Sequence, residues 1–213
     1  MDIFTLDGEH LSLDDVIRVA HAAPAELQLT IAEPARERMA RSRDFAEQTL
    51  ASGQVAYGIN TGFGAFKDRL ISSEQVTELQ RNIVVSHSVG VGAPLSQDVV
   101  RSAVLIRANT LARGHSGVRP DLVEALVSLL NGGVYPVLPS QGSLGASGDL
   151  APLAHMALVL IGEGEAMYQG EKLPGGEALR RAGLSPVVLA GQRRPGAHQR
   201  HGRVVRRRLS DDP

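Results

Sequence analysis

The sequence predicts a mainly α-helical fold, and three observations support that class. Several segments, such as residues 34–52, carry apolar residues at helical spacing. Residues that favour helix starts and glycines that favour helix ends bracket these segments. No internal repeat and no alternation of strands with helices is visible along the 213 residues, so neither a repeat fold nor a strand–helix–strand unit is expected.

The first elements are predicted to be a short strand and two helices. Apolar residues within 1–11 indicate a strand followed by a turn. Ser12 is a candidate N-cap for a helix that reaches about residue 22, and a second helix runs from Pro34 to Ser52. The segment Tyr57–Gly64 has too many glycines for a helix or a central strand and is interpreted as an ordered loop.

Three helices are predicted in the middle of the chain. Ser72–Gln75 has the pattern of a capping box, and its helix should run to about Val89. Ser96 should start a helix that ends near Arg113, and another should span 120–130 before a pair of glycines.

The last elements surround an apolar segment. Pro136 and Pro139 indicate extended chain that leads into a glycine-rich loop at 142–149, with no clear strand before it. Leu150–Ile161 is apolar nearly all round, which is typical of a buried helix. Residues 165–173 suggest a hairpin, and a short helix is expected near residue 180.

Composition excludes several classes of protein. The chain has no cysteine, so a disulfide framework and a thiolate metal site are both excluded. The first residues lack the pattern of a signal peptide, and no stretch is long and apolar enough to span a bilayer. A cytoplasmic location, with no membrane partner and no metal, is therefore expected.

The loop Gly142-Ser-Leu-Gly-Ala-Ser-Gly-Asp149 allows three interpretations. It can be a turn in which Ser147 or Asp149 caps the next helix. A phosphate-binding loop is a second possibility, although the Gly-Lys-Ser/Thr ending is missing. In the third, the unhindered nitrogen of Gly148 attacks the carbonyl of Ala146, and loss of water there and from Ser147 gives a 4-methylidene-imidazol-5-one. Such a ring is an electrophile and an electron sink.

Four stretches together carry a family resemblance: residues 57–64, 79–92, 107–119 and 142–154. In these stretches the chain resembles the family of histidine, phenylalanine and tyrosine ammonia-lyases and aminomutases. The resemblance implies the methylidene-imidazolone at Ala146-Ser147-Gly148 with no external cofactor. It also implies the N-terminal portion of a fumarase/aspartase-like helical fold, interrupted before the central bundle of long helices, and a cytoplasmic homotetramer.

The resemblance also implies roles for single residues. Tyr57 matches the base that removes the β-proton of the substrate. Ser86 and His87 occupy the position at which the family sets its substrate class, and this pair implies L-histidine, converted to trans-urocanate and ammonia. The residues expected to support the active-site loops are Asn60, Thr61, Gly62, Leu144 and Asp149. The alternatives are a phenylalanine or tyrosine ammonia-lyase or aminomutase, or a fragment without activity. His115 and His155 are interpreted as structural.

The resemblance covers residues 1–190, and residues 191–213 form a separate basic tail with seven arginines and two aspartates. Family members are more than twice as long, and their additional part supplies an arginine for the substrate carboxylate, so this chain is expected to be inactive alone. Synonymous codons for residues 192–201, read one base later, spell Lys-Glu-Gly-Leu-Ala-Leu-Ile-Asn-Gly, which predicts that the tail is out-of-frame translation. The rival hypothesis is a nucleic-acid-binding tail, but it lacks interleaved aromatic residues.

Overall fold

The structure of the protein is a computed structural model that describes residues 1–52, 73–145 and 147–189. The helices in these segments are α1 (Leu13–His21), α2 (Glu33–Ala51), α3 (Ser73–His87), α4 (Gln97–Ala112), α5 (Pro120–Asn131), α6 (Leu150–Leu160) and α7 (Gly175–Arg181). The strands are β1 (Asp2–Leu6), β2 (Leu27–Ile31), β3 (Val91–Pro94), β4 (Val134–Pro136), β5 (Pro139–Gln141), β6 (Glu165–Tyr168) and β7 (Glu171–Pro174). The mainly helical class is confirmed. The basic tail and the glycine-rich segment 57–64 lie outside the described residues.

The N-terminal segment contains a strand–helix–strand unit that was not expected from the sequence. β1 pairs with β2 in parallel, from Asp2 opposite Leu27 to Leu6 opposite Ile31, and α1 lies between the two strands in the chain. The expectation of no such alternation is therefore wrong. β2 has only five residues, and its buried positions alternate with half-buried ones over that short length. The alternation of apolar and polar residues over Leu27–Ile31 is a local strand signal that the sequence prediction overlooked.

The start of α1 follows the predicted capping pattern. The backbone N–H of Asp15 donates to Ser12 Oγ at 3.2 Å, and the backbone N–H of Ser12 donates to Asp15 Oδ2 at 3.0 Å. This reciprocal pair is a capping box, which satisfies two amide groups that a helix start leaves without intrahelical partners. The predicted N-cap is confirmed.

The hydrophobic core is organised around α4. This helix packs against α1, α2 and α5 and buries, among others, Val104, Leu105 and Ala108. α5 continues the core with Leu126, Leu129 and other buried residues, and it also packs against β2 and β4. None of the helices in the described segments is long and apolar enough to cross a membrane. The apolar face of α5 is explained by burial within the chain itself.

Two strands that are distant in sequence meet beside the glycine loop. β3 and β5 are antiparallel, with Val91 opposite Gln141 and Pro94 opposite Pro139. The extended chain that the sequence indicated before the loop contains the strand β5, which the sequence did not make clear and which ends directly before Gly142. β5 has three residues and its partner lies about 48 residues earlier, so neither strand has a local pattern. The predicted hairpin is confirmed as the antiparallel pair β6 and β7.

Candidate active site

The glycine loop joins the end of β5 to the start of α6. Its described residues, 142–145 and 147–149, are exposed apart from the half-buried Gly148, and Leu144 is 87% exposed. The first backbone bond of the helix runs from the N–H of Leu153 to the carbonyl oxygen of Asp149, at 2.9 Å. Helix starts carry partial positive charge, so this position favours negative charge that develops on a neighbouring group. The predicted location of the loop at a helix start is confirmed.

The hydroxyl of Ser147 donates a hydrogen bond to Oδ1 of Asp149. Asp149 occupies the N-cap position of α6, but its backbone is in the right-handed helical region and its side chain makes no capping hydrogen bond. The interpretation that Ser147 or Asp149 caps this helix is therefore wrong. The carboxylate is directed to the serine hydroxyl instead of to the helix amides, so these two residues act as a pair.

Gly148 has a positive φ, which favours glycine, and the side chain of Ser143 lies close to it. Its φ is +68°, a region that residues with a side chain rarely adopt. A Cβ atom at this position would also collide with Oγ of Ser143. The loop therefore folds back on itself, with Ser143 lying against the backbone that follows Ser147. Attack on a nearby carbonyl requires a bent backbone and a nitrogen that no side chain shields. The backbone nitrogen of Gly148 meets both requirements.

Ser86 and His87 lie exposed in the last turn of α3, and both contact the same carbonyl group. His87 Nδ1 lies 2.8 Å from the carbonyl oxygen of Ile83, and Ser86 Oγ donates to that oxygen at 3.1 Å. A carbonyl only accepts, so Nδ1 of His87 carries the proton of the neutral ring. Nε2 is then the acceptor of this imidazole.

The fold holds α3 against the helix that follows the loop. α3 packs on α6, and β3, which follows α3, pairs with β5, which precedes the loop. Arg81 on α3 makes a bidentate ion pair with Glu163 after α6, with N–O distances of 2.6 and 3.1 Å. This pairing raises the pKa of Arg81, first through the hydrogen bonds and then through the opposite charge. The pair Ser86 and His87 and the glycine loop are thus carried on elements in direct contact.

Several residues singled out from the sequence lie outside the described part of the chain: Tyr57, Asn60, Thr61, Gly62 and Ala146. Within that part, no group of three or more histidine, aspartate or glutamate side chains is arranged to hold a metal ion. The contact of Ser143 with Gly148 was not predicted from the sequence. The structural role predicted for His155 agrees with the hydrogen bond that its ring accepts from the N–H of Gly90.

Comparison with known proteins places this geometry in a family. The family model described as aromatic amino acid lyase matches residues 11–193. The chain belongs to this family. A histidine ammonia-lyase from Chloroflexus aurantiacus is 56% identical over 185 residues, which are 87% of this chain and 35% of that protein. The chain thus spans about a third of the length of such lyase relatives.

Solved structures agree with the lyase assignment. Ergothionase from Treponema denticola, an ergothioneine-degrading enzyme, matches with a TM-score of 0.81 and 32% identity, covering 89% of this chain and 37% of that one. Histidine ammonia-lyase from Trypanosoma cruzi matches with a TM-score of 0.79 and 34% identity, covering 89% and 36%. The chain has the fold of the N-terminal portion of these ammonia-lyases. The expected fold and family are confirmed.

Proposed function

We propose that this chain is the part of a histidine ammonia-lyase that bears the prosthetic group, and that the complete enzyme converts L-histidine to trans-urocanate and ammonia. The observation that carries the proposal is the pairing of Ser147 with Asp149 at the start of α6, in a chain 56% identical to a histidine ammonia-lyase. The group would be a 4-methylidene-imidazol-5-one made from Ala146, Ser147 and Gly148, with no external cofactor.

The described residues fit this group. The Gly148 nitrogen lies in a bent backbone with positive φ, and Ser143 fills the side on which a side chain would stand. Asp149 accepts the hydrogen bond of the Ser147 hydroxyl and so orients the bond that dehydration must break. The ring, once formed, supplies an electrophile and an electron sink for the departing amine.

The tautomer of His87 supports histidine as the substrate. Its Nδ1 proton is directed to the Ile83 carbonyl, so Nε2 can accept a hydrogen bond from an imidazole N–H of the substrate. A phenyl side chain has no such donor, which weighs against phenylalanine as the substrate. A phenol hydroxyl is also a donor, so tyrosine is the competitor that an assay must include.

The remaining roles are assigned by family resemblance. Tyr57 would remove the β-proton, and Asn60, Thr61 and Gly62 would shape the loop that carries it. Residues 1–190 would form one lyase unit that assembles as a cytoplasmic homotetramer. The chain spans 35% of its Chloroflexus relative. We therefore propose that it has no turnover alone, because the arginine expected to hold the substrate carboxylate would come from the additional length.

We propose that residues 191–213 are out-of-frame translation after one inserted nucleotide near codon 191. The nucleotide sequence tests this directly. A second frame that encodes the missing lyase segment is the expected result, and its absence would overturn the idea.

A chimaera tests the substrate assignment. Residues 1–189 of this chain replace the matching segment of the Chloroflexus relative, and urocanate formation is followed by its ultraviolet absorbance. We expect turnover of L-histidine, and no turnover by the matched Ser147→Ala chimaera. Faster turnover of L-tyrosine, L-phenylalanine or ergothioneine than of L-histidine by a folded chimaera would refute histidine as the substrate.

A further inference from the structure

His155 on α6 accepts a hydrogen bond from a backbone group 65 residues earlier. The N–H of Gly90, in the turn between α3 and β3, donates to Nε2 of His155 at 3.0 Å. Because Nε2 is the acceptor, the imidazole is neutral and its proton lies on Nδ1. The ring is half-buried, between the helix and this turn.

The turn at Gly90 lies in close contact with the start of the glycine loop. A Cβ added to Gly90 would lie 3.0 Å from His155 Nε2 and 3.3 Å from the carbonyl oxygen of Gln141. A Cβ added to Gly142 would lie 3.0 Å from Gly90 Cα and 3.3 Å from Ala151 Cβ. The backbone of Gly90 is therefore packed against Gly142, where the loop begins, and Gly142 in turn lies close to Ala151 in the first turn of α6.

We infer that His155 is a positioning residue for the ring-forming loop: its neutral imidazole holds the Gly90 turn on α6 and against Gly142, which lies beside the first turn of that helix. This inference rests on the proposed function of that loop. Cyclisation needs a compressed backbone, and a loop with fixed ends is easier to compress than one with free ends. The same hydrogen bond fixes the residues just after Ser86 and His87, and so relates the substrate-class pair to the loop.

The state of the imidazole makes this contact dependent on pH. Burial lowers the pKa of His155 below its ordinary value. Charged or titratable side chains on the described elements that pack against α6 are Glu78, Arg81 and His87 on α3, Tyr135 on β4, Glu165 and Tyr168 on β6, and Glu177, Arg180 and Arg181 on α7. Desolvation alone accounts for the direction of the shift. A protonated ring has no acceptor at Nε2, so the contact is present at neutral pH and is lost as pH falls through the lowered pKa.

Three forms of the 213-residue chain test the inference: wild type, His155→Gln and His155→Leu. Glutamine offers a carbonyl acceptor that does not titrate, and leucine offers similar bulk without an acceptor. The protection of the Gly90 amide against hydrogen exchange, corrected for intrinsic rates, is measured by NMR between about pH 4 and pH 8. We expect about tenfold loss of protection in acid for wild type, constant protection in His155→Gln, and low protection throughout in His155→Leu.

The second measurement is the rate at which the loop loses two water molecules, followed by intact mass. His155→Leu should dehydrate about tenfold more slowly than wild type, and His155→Gln at close to the wild-type rate. Wild-type protection of Gly90 that does not change with pH, or equal dehydration rates in all three forms, would overturn the inference. If His155→Leu does not fold, the contrast between wild type and His155→Gln decides. If wild type never dehydrates, ring formation by this chain fails, while exchange at Gly90 still decides whether His155 holds the turn.

Discussion

Arg101 on α4 donates two hydrogen bonds to the carbonyl oxygen of Val19 near the end of α1, at 3.1 and 2.6 Å. It also donates to the carbonyl oxygen of Ala22 at 2.7 Å and to the hydroxyl of Tyr135. The residue is 3% exposed, and its guanidinium stands 5.2 Å from the centre of the Tyr135 ring. A helix end carries partial negative charge, so this cation satisfies the final carbonyls of α1 and fixes the helix on the core.

Replacing this arginine should destabilise the fold strongly. Arg101→Met removes the donors and leaves buried carbonyls without partners, so the free energy of unfolding should fall by about 3 kcal/mol. Urea denaturation measures the change. The control is Arg180→Met, because the Arg180 side chain is 72% exposed in its ion pair with Glu177, so its loss should change the free energy of unfolding far less than the loss of Arg101. Equal effects of the two substitutions would contradict the role of Arg101.

The pairs Ser12–Asp15 and Ser147–Asp149 should respond differently to mutation. Ser12→Ala removes a true N-cap and should cost about 1 kcal/mol of stability. Asp149→Ala should cost less than about 0.5 kcal/mol, since its side chain caps nothing, yet it should slow dehydration of Ser147. Thermal unfolding and intact mass measure the two effects. A large stability loss with normal dehydration would show that Asp149 acts as a cap after all.

Two loop glycines provide a matched pair for the ring proposal. Gly145 and Gly148 both have positive φ, so alanine at either position should cost about 1 kcal/mol in backbone strain. Only at Gly148 does the added Cβ collide with Ser143, while nothing lies within 4 Å at Gly145. Gly148→Ala should therefore block the loss of water, and Gly145→Ala should reduce it less. The mass of the loop peptide measures both, and the opposite order would contradict the account.

An acid-sensitive ion pair lies in α7. Hydrogen bonds from Arg180, and then from Arg181, lower the pKa of Glu177 to about 2. The folded state therefore holds this proton less tightly than the unfolded state. The stability that Glu177 contributes is present above its ordinary pKa of 4.5 and is lost as pH falls toward 2. Glu177→Gln should flatten the fall in stability over that range. The Glu177 carboxyl, followed by NMR, should titrate nearer its ordinary value in Arg180→Met.

The sequence predicted elements whose signals are local. The ends of α1, α4 and α5 were close to their predicted positions, because caps, glycines and Pro120 act within one helical turn. The hairpin at 165–174 was also predicted, because its two strands are joined by a turn that ends in glycine. These features can be predicted from neighbouring residues alone, without the rest of the fold.

Features that depend on distant partners were missed. β5 has only three residues, and it pairs with β3, from which α4, α5 and β4 separate it in the chain. The hydrogen bond between Gly90 and His155 joins residues 65 positions apart, so nothing near either residue indicates it. The role of Asp149 was predicted wrongly for another reason. An aspartate carboxylate can accept a hydrogen bond either from a helix amide, as a cap, or from a serine hydroxyl, and the sequence does not show which of these it does.

Whether this loop builds its own electrophile is tested most directly by the mass of the peptide that contains residues 141–156, taken from the purified chain and from its Ser147→Ala variant. We predict that the mass of the wild-type peptide is lower than the mass calculated from its sequence by two water molecules. The variant should not form the methylidene group. A wild-type peptide of unmodified mass, from a chain shown to be folded, would contradict the claim that this loop builds its own electrophile.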